Sequence, residues 1–567
     1  MFQVVWLVTS WLLWALLTHA QVLVDFQVTQ PPPVPEDTKQ CTIQILQRTF
    51  GFSYGDPEIV QFTPPTDCGP VGSWAGITLN FTVTSNGTQY DRLGIFTFQN
   101  VEIWRTSTPE PTRGDGIIWT YIKDVTRYTT LFSNPGTFIL ELDNLLETGL
   151  DGQYTTVLHA TFYASSVNHP PASHADVIIP VTTLANNTGD DASVPPIFSL
   201  NVTVPRNTVG IYAELYASGN ADEEMWYWDV ANEYLGDLPS FGFGPFREVR
   251  MLVDGQLAGV TFPYAVIFTG GIVPTCWRPI TSYGALDLPT YFIDLSPFVP
   301  LLTDGEPHNI SIDVVSAETN HSINANWYVS GNLHVTTDTS SKPTTGKLTV
   351  YDVEPFAKTT ITGVQSGLDV NVTVTATRSI HIEADIVSGS GAHTHVVWSQ
   401  QLQFSNTQYW LDNATFQNIA QTASGTFLST HNGMVALQDD FSYPLFINYT
   451  NLNPEATIFA VDINHSYDRT SLPSPFILGS TIHNQQLTSG WFELASSGNF
   501  GNGTSNNTFS YADRAGNTYS REVGAALNNI IYDHQSGSLA PNAPPHFPSF
   551  SPQLSMSSTN PRLPGGR

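Results

Sequence analysis

Short runs in which apolar and polar residues alternate recur through nearly the whole of this 567-residue chain. Residues 77–83 (ITLNFTV), 154–162 (YTTVLHATF), 370–376 (VNVTVTA) and 379–384 (SIHIEA) all read this way. A period of two puts alternate side chains on opposite faces of an extended strand, so each run can bury one face and wet the other. Few windows carry the three- and four-residue spacing of an amphipathic helix, and the chain is rich in Thr, Val, Asn, Gly and Pro. Many short one-sided strands bury their apolar faces by pairing sheet on sheet, which predicts an all-β protein. We expect two N-terminal antiparallel β-sandwich domains, jelly-roll-like, followed by a β-rich C-terminal region.

Punctuation along the chain sets the expected borders. Residues 1–20 read as a secretory signal, with an apolar run from Phe2 to Leu17 and a small residue, Ala20, at its end. That run lacks a basic start and approaches the lower limit for a membrane span, so an uncleaved anchor is the alternative. Residues 21–40, with Pro31 to Pro33, form an extended lead-in. A first sandwich is expected over 41–185, a polar Gly/Pro linker over 186–196 and a second sandwich over 197–335. The β-rich region then covers 346–535, and the Pro/Ser-rich tail 536–567 is expected to be disordered.

Charge and modification sites narrow the setting. A net charge of −29 with only 20 Lys and Arg argues against nucleic acid, whose phosphates need cations. Glycosylation sequons stand at Asn80, Asn86, Asn186, Asn201, Asn309, Asn320, Asn371, Asn413, Asn448, Asn464, Asn502 and Asn506. Together with the signal they predict secretion to the extracellular space, the cell wall or an acidic vacuolar or lysosome-like compartment, with no stable membrane association after cleavage. Cys41 and Cys68 bracket a turn-rich stretch that suits a disulfide, worth roughly 3–4 kcal/mol by the loop-entropy account. Cys276 is left over as a buried thiol beside Trp277, a nucleophilic thiol being the alternative. His393 and His395 share a strand face, but such a pair alone does not make a metal site, and neither metal nor cofactor is expected.

One stretch concentrates chemistry. In residues 90–128, a strand to Phe98, a turn at Gln99-Asn100 and a return through Val101 would make a hairpin. In that register Phe98 faces Val101 and Asp91 faces Thr108, placing Glu110 roughly 7–8 Å diagonally from Asp91. Pro109 and Pro111 would then leave Glu110 on a rim. Glu102 would fall about 20 Å along the strand from Asp91. Two carboxylates flanked by Arg92, Trp104 and Arg105 could hold and process a polar ligand, and the plain alternative is a hairpin with ordinary rim charges. A second block, residues 217–229 (ASGNADEEMWYWD), sets Glu223 and Glu224 before Trp226. A third, around Arg247, Gly270-Gly271, Cys276, Trp277 and Arg278, combines backbone freedom with scarce cations. For these two, a loop acid cluster with core aromatics and core ion pairs is the alternative.

The segments DR (91–92), VEIWRTSTPEPT (101–112) and WTYIKDVTRY (119–128) resemble the signature of the peptide-N-glycosidase A family. Residues 217–229, 244–249, 267–272, 276–280, 283–291, 294–298 and 327–333 resemble it too. The likeness is dense over about 40–335 and thins beyond, and Met225 stands where the family leads one to expect an aromatic. The resemblance implies hydrolysis of the amide between an Asn side chain and its first N-acetylglucosamine in N-glycosylated peptides or proteins. By analogy with the two-jelly-roll bacterial enzyme of that activity, the site is expected between the two N-terminal sandwiches. Asp91 suits the base. Glu110, or Glu223 or Glu224 from the second domain, suits the acid. Arg92, Trp104, Arg105, Glu223, Trp226, Trp277 and Arg278 are the expected substrate contacts, with at least two of Trp104, Trp226 and Trp277 lining one cleft. A non-catalytic glycan-binding protein and a glycosidase acting on N-glycans are the alternative functions.

Overall fold

The computed structural model describes residues 22–183, 191–471, 476–495 and 498–541. The expected signal, the sequon at Asn186 and most of the tail lie outside them. The architecture is all-β. Five strands make one sheet in the order Leu23–Asp25, Ile117–Asp124, Trp74–Asn86, Gln153–Ala164 and Gln40–Phe50. It faces a four-stranded sheet ordered Glu58–Phe62, Gly136–Leu142, Leu93–Phe98 and Val101–Ser107. Alternating residues of both, among them Phe81, Phe96, Trp104 and Phe138, fill a shared core. Cys41 and Cys68 are bridged, with Cα atoms 5.8 Å apart, and Cys276 is free and buried.

The second sandwich sets Val177–Val181, Asn326–Thr337, Thr208–Asn220 and Tyr291–Asp294 against Phe198–Val202, His308–Val315, Glu248–Val253 and Gln256–Thr261. Val177–Val181 was expected in the first sandwich, and Ala192–Val194 in a linker. Both instead pair with Asn326–Thr337, because that twelve-residue strand offers an edge long enough for two short partners.

Beyond residue 345 the chain winds into one eleven-stranded sheet, from Thr345–Val353 to Asn529–Ser536, almost entirely by sequential antiparallel pairing. Its inner face shares a continuous core with the second sandwich. Buried amides and indoles stitch the two together: Gln400 Nε2 donates to the Val260 carbonyl at 2.8 Å and Trp398 Nε1 to the Ala258 carbonyl at 3.0 Å. Trp228 Nε1 donates to Gln417 Oε1 at 2.9 Å.

Candidate active site

The hairpin forms as the turn residues predict. Gln99 and Asn100 take positive φ, 53° and 63°, and Phe98 pairs with Val101, the geometry of a two-residue turn whose twist suits the flanking strands. A bulge between Phe96 and Thr97 then leaves Ile103 without an opposite residue, so Ile95 pairs with Arg105 and Leu93 with Ser107. The expected pairing of Asp91 with Thr108 is therefore off by one. Thr108 instead exchanges bonds with Arg92, its amide donating to the Arg92 carbonyl at 2.9 Å and its hydroxyl accepting from the Arg92 amide at 2.8 Å.

Glu110 is buried rather than on a rim, 2% exposed, because the second sandwich closes over it. Residues 268–278 do the closing. Thr269 Oγ1 donates to the Thr108 carbonyl at 2.6 Å, and Arg278 Nη2 donates to the Glu110 carbonyl at 3.0 Å and lies 3.7 Å from its carboxylate. Gly270 sits against both acids: a Cβ there would stand 2.3 Å from Glu110 Oε1 and 2.7 Å from Asp91 Oδ1. The two oxygens are therefore at most about 5 Å apart, the sum of those distances. With glycine at 270 no side chain stands between the backbone and the two carboxylates. Trp277 fixes this loop by donating from Nε1 to the Gly271 carbonyl at 2.8 Å.

Asp91 and Arg92 open into a cavity of about 150 Å3 between the two sandwiches, whose opposite wall carries Glu224, Phe268 and Tyr328. Gly219 brings Glu224 there: the chain doubles back so tightly that a Cβ on Gly219 would meet the Glu223 carbonyl at 2.2 Å, and Ala221 adopts φ 53°. Arg92 is braced from behind, its guanidinium donating to Gln89 at 2.7 Å and to Asn144 at 3.3 Å.

Three further acids line the same cavity: Glu141 and Asp143 at one strand end and Asp191 within the expected linker. Burial, reinforced by Asp191 and Asp143, pushes the Glu141 carboxyl up to about 9. Burial also raises Asp143 and Asp191. Glu141 lies opposite Ile95 on the strand next to the hairpin. The sequence gives no sign of this, because strand neighbourhood is not written in local pattern.

Several expected contacts are elsewhere. Trp104, Trp226 and Trp277 are all buried, and none of them lines the cavity that Asp91 opens into: Trp104 stacks on Phe96 at 4.7 Å in the first core, while Trp226 and Trp277 pack in the second. Large rings at sandwich junctions remove more apolar area from water there than in a cavity wall. Arg105 does not face the cavity either. It grips Glu102 with two 2.7 Å bonds and also donates to Ser218 and to the Tyr328 carbonyl, joining the sandwiches. Glu223 is likewise committed, to Arg247 at 2.6 and 2.7 Å and to Trp327 Nε1 at 2.7 Å. Burial works most strongly against its charge, but Arg247, Trp327 and the Asn324 amide together hold the carboxyl below the ordinary range. Arg278 reaches the site at Glu110, its guanidinium 3.7 Å from that carboxylate. Among the described residues no cluster of His, Cys, Asp and Glu fits a metal ion.

Residues 30–354 match the family model for peptide N-acetyl-beta-D-glucosaminyl asparaginase amidase A, and 371–445 match the C-terminal domain of the same group. A Prunus dulcis protein described as peptide-N4-(N-acetyl-beta-glucosaminyl)asparagine amidase A is 35% identical over 392 residues, 65% of this chain. The match spans just under two thirds of that relative, 66%. A solved peptide-N(4)-(N-acetyl-beta-D-glucosaminyl)asparagine amidase aligns over 53% of this chain and 97% of its own, at 17% identity and a TM-score of 0.33. The structure of PNGF-II covers 53% of this chain and 66% of its own, at 15% identity and a TM-score of 0.36.

Proposed function

The chain belongs to the peptide N-acetyl-beta-D-glucosaminyl asparaginase amidase A family, and from that premise we propose that it hydrolyses the amide joining an Asn side chain to its first N-acetylglucosamine. The observation that carries the reading is the convergence of Asp91 and Glu110 on Gly270, beside a cavity whose far wall holds Glu224. Repulsion between two carboxylates so close is relieved when one holds a proton, which equips the pair with one base and one acid. Asp91 takes a proton from water as its oxygen attacks the amide carbonyl. The C–N bond breaks, and Glu110 or Glu224 hands the departing nitrogen a proton. The products are an aspartate residue and a glycosylamine, which loses ammonia in water to leave the free sugar. Glu141, neutral below about pH 9, adds an O–H donor to the wall that a sugar hydroxyl or acetamido oxygen would meet. The sequons and the apolar first segment support action on secreted glycoproteins or glycopeptides in an extracellular or acidic compartment. Among the described residues no helix is long and apolar enough to cross a membrane.

Retaining glycosidases hold two carboxyls about 5–5.5 Å apart, and the upper bound of about 5 Å between the Asp91 and Glu110 oxygens admits that second reading without selecting it. Mass spectrometry of a digested N-glycopeptide separates the readings. Conversion of Asn to Asp, about +1 Da, means amidase; a residual N-acetylglucosamine on Asn means glycosidase; an unchanged, bound glycopeptide means a lectin.

A further inference from the structure

The eleven-stranded sheet covers its inner face with the second sandwich, and its outer face meets solvent. Along Phe500–Asp513 burial alternates almost residue by residue, with Asn502, Thr504, Asn506 and Thr508 on the outer side. That face exposes large apolar side chains, among them Tyr409, Phe446, Leu487 and Trp491 at 39%, 41%, 43% and 40%. Phe446 and Leu487 also floor a shallow depression of about 280 Å3. Exposed apolar side chains on a sheet face can seat a partner or promote association.

The register supplies the occupant. Asn371 lies directly opposite Tyr409. Asn464 lies between Phe446 on one neighbouring strand and Leu487 on the other. Asn506 is opposite Leu487, and Asn502 is opposite Trp491. Each of these four asparagines heads an Asn-X-Ser/Thr sequon. Directly opposed residues hold their Cβ atoms about 4.5–5.5 Å apart, so a sugar on one stands over the other. In Asn464, Asn502 and Asn506 the side-chain oxygen takes a hydrogen bond, from Gln485, the Gly503 amide and Tyr532 respectively. The nitrogen, the atom to which a glycan attaches, is not the one engaged in those bonds. Asn448 is an internal control: its sequon sits on the same face, but between Asn418 and Asp462, both polar.

We propose that the outer face of the large sheet is roofed by the chain's own N-glycans, attached at Asn371, Asn464, Asn502 and Asn506, whose first sugars pack on Tyr409, Phe446, Leu487 and Trp491. Attachment requires the lipid-linked oligosaccharide diphosphate of a secretory compartment. The asparagine nitrogen bonds to the anomeric carbon and loses a proton, and the lipid diphosphate departs with the electrons of the broken C–O bond. The apolar C–H faces of N-acetylglucosamine cover the exposed side chains, while its hydroxyls keep the surface wet. The face away from the candidate active site thereby becomes a closed surface, and substrate glycans have no apolar ground there on which to compete.

The test uses the full chain made in a glycosylating eukaryotic secretory host. Glycopeptide mapping should find all four sites occupied. A trimming endoglycosidase acting on the native protein should shorten these four glycans several-fold more slowly than one at Asn448, because packed first sugars are shielded. Replacing all four with Gln should raise fluorescence of a hydrophobic dye several-fold and promote aggregation, and adding Phe446→Ser and Trp491→Ser should reverse it. Asn448→Gln should change neither. Unmodified Asn at these sites, trimming as fast as at Asn448, or dye binding unaltered in the fourfold variant would each overturn the proposal. So would Asp in place of Asn, since that marks a sugar open to amidase attack. The trimming comparison is made on the unmutated protein, so it decides the matter even if the fourfold variant fails to fold.

Discussion

Gly270 holds two acids together without touching the chemistry itself. The atoms that a Cβ would meet are the ends of side chains, which can swing away, so Gly270→Ala should fold normally while pushing Glu110 and Asp91 apart. A misplacement of about 1 Å can cost roughly 100-fold in rate, so kcat should fall by about that factor with the melting temperature unchanged. Asp91→Asn should give a loss of at least about 100-fold, again with an unchanged melting curve, because the amide keeps the shape but cannot take a proton from water. Wild-type turnover in this variant would remove the mechanism even with the family membership standing. Glu102→Gln belongs to the opposite class. Glu102 is 0% exposed and bonded to Arg105 and Ser330, so breaking that buried pair should cost roughly 3–5 kcal/mol of stability while each folded molecule retains its turnover. Denaturant unfolding together with activity per folded molecule distinguishes the two classes. Asp91, Glu110 and Glu224, the acids proposed for catalysis, could be picked out because a turn, prolines and aromatics stand near them in sequence. Glu141 and Asp191 could not, since one lies near the end of an ordinary strand, the other inside a stretch that reads as a polar linker, and only tertiary pairing brings them to the cavity.

At the level of elements, the hairpin shows how far local chemistry reaches. Gln99-Asn100 could be read as its turn, and both residues do adopt the left-handed conformation that the strand twist demands. Asn100→Gly should therefore be neutral or slightly stabilising. Asn100→Val, with a branched side chain at φ 63°, should cost on the order of 1–2 kcal/mol, read as a lowered denaturant midpoint. An unaffected Val variant would mean the turn is not what holds the register. The bulge at Ile103 could not be read, because one extra residue leaves no mark on composition. It still moved Asp91 by one position relative to its partner. Val101–Ser107 misled for a related reason. Its charged and apolar residues suggest one wet face, yet all seven are buried, because the strand is wedged between the sandwiches and its charges pair inside the junction. The tryptophans failed likewise: a ring beside an acid in sequence is no guide to which side of a sheet it packs.

Across the whole molecule, alternation foretold an all-β chain. It could not foretell that residues 345–536 form one sheet sharing its core with the second sandwich, since which strand faces which partner is settled by long-range packing. That closure buries ionisable groups, and they make stability depend on pH. Burial pushes Asp25 from an ordinary 3.8 up to about 8, only partly opposed by Arg278 and the Phe26 amide, and pushes Glu141 from 4.5 to about 9. In each case the folded state keeps a proton that the unfolded chain releases near pH 4, so between about 4 and 8 folding takes up protons and stability falls as pH rises. His465, stacked on Tyr264, runs the other way. Burial lowers it from 6.5 to about 3, so below about 6.5 the unfolded chain binds a proton that the folded state refuses, and stability falls as pH drops. Between about 4.5 and 6.5 Asp25 and Glu141 therefore act against His465, and the decline that these three contribute is shallow. From 6.5 to 8 the imidazole is silent and the decline steepens, by up to roughly 1.4 kcal/mol per pH unit for each carboxyl. Thermal unfolding should accordingly show a melting temperature several degrees higher at pH 5.5 than at pH 8. Asp25→Asn removes one of the raised carboxyls while keeping its shape, and should make the decline shallower both between about 6.5 and 8 and between about 4.5 and 6.5, where Glu141 is then balanced by His465. Equal melting temperatures at pH 5.5 and 8 in the unmutated protein, or a decline between about 6.5 and 8 untouched by Asp25→Asn, would show that Asp25 is not held neutral in the folded chain.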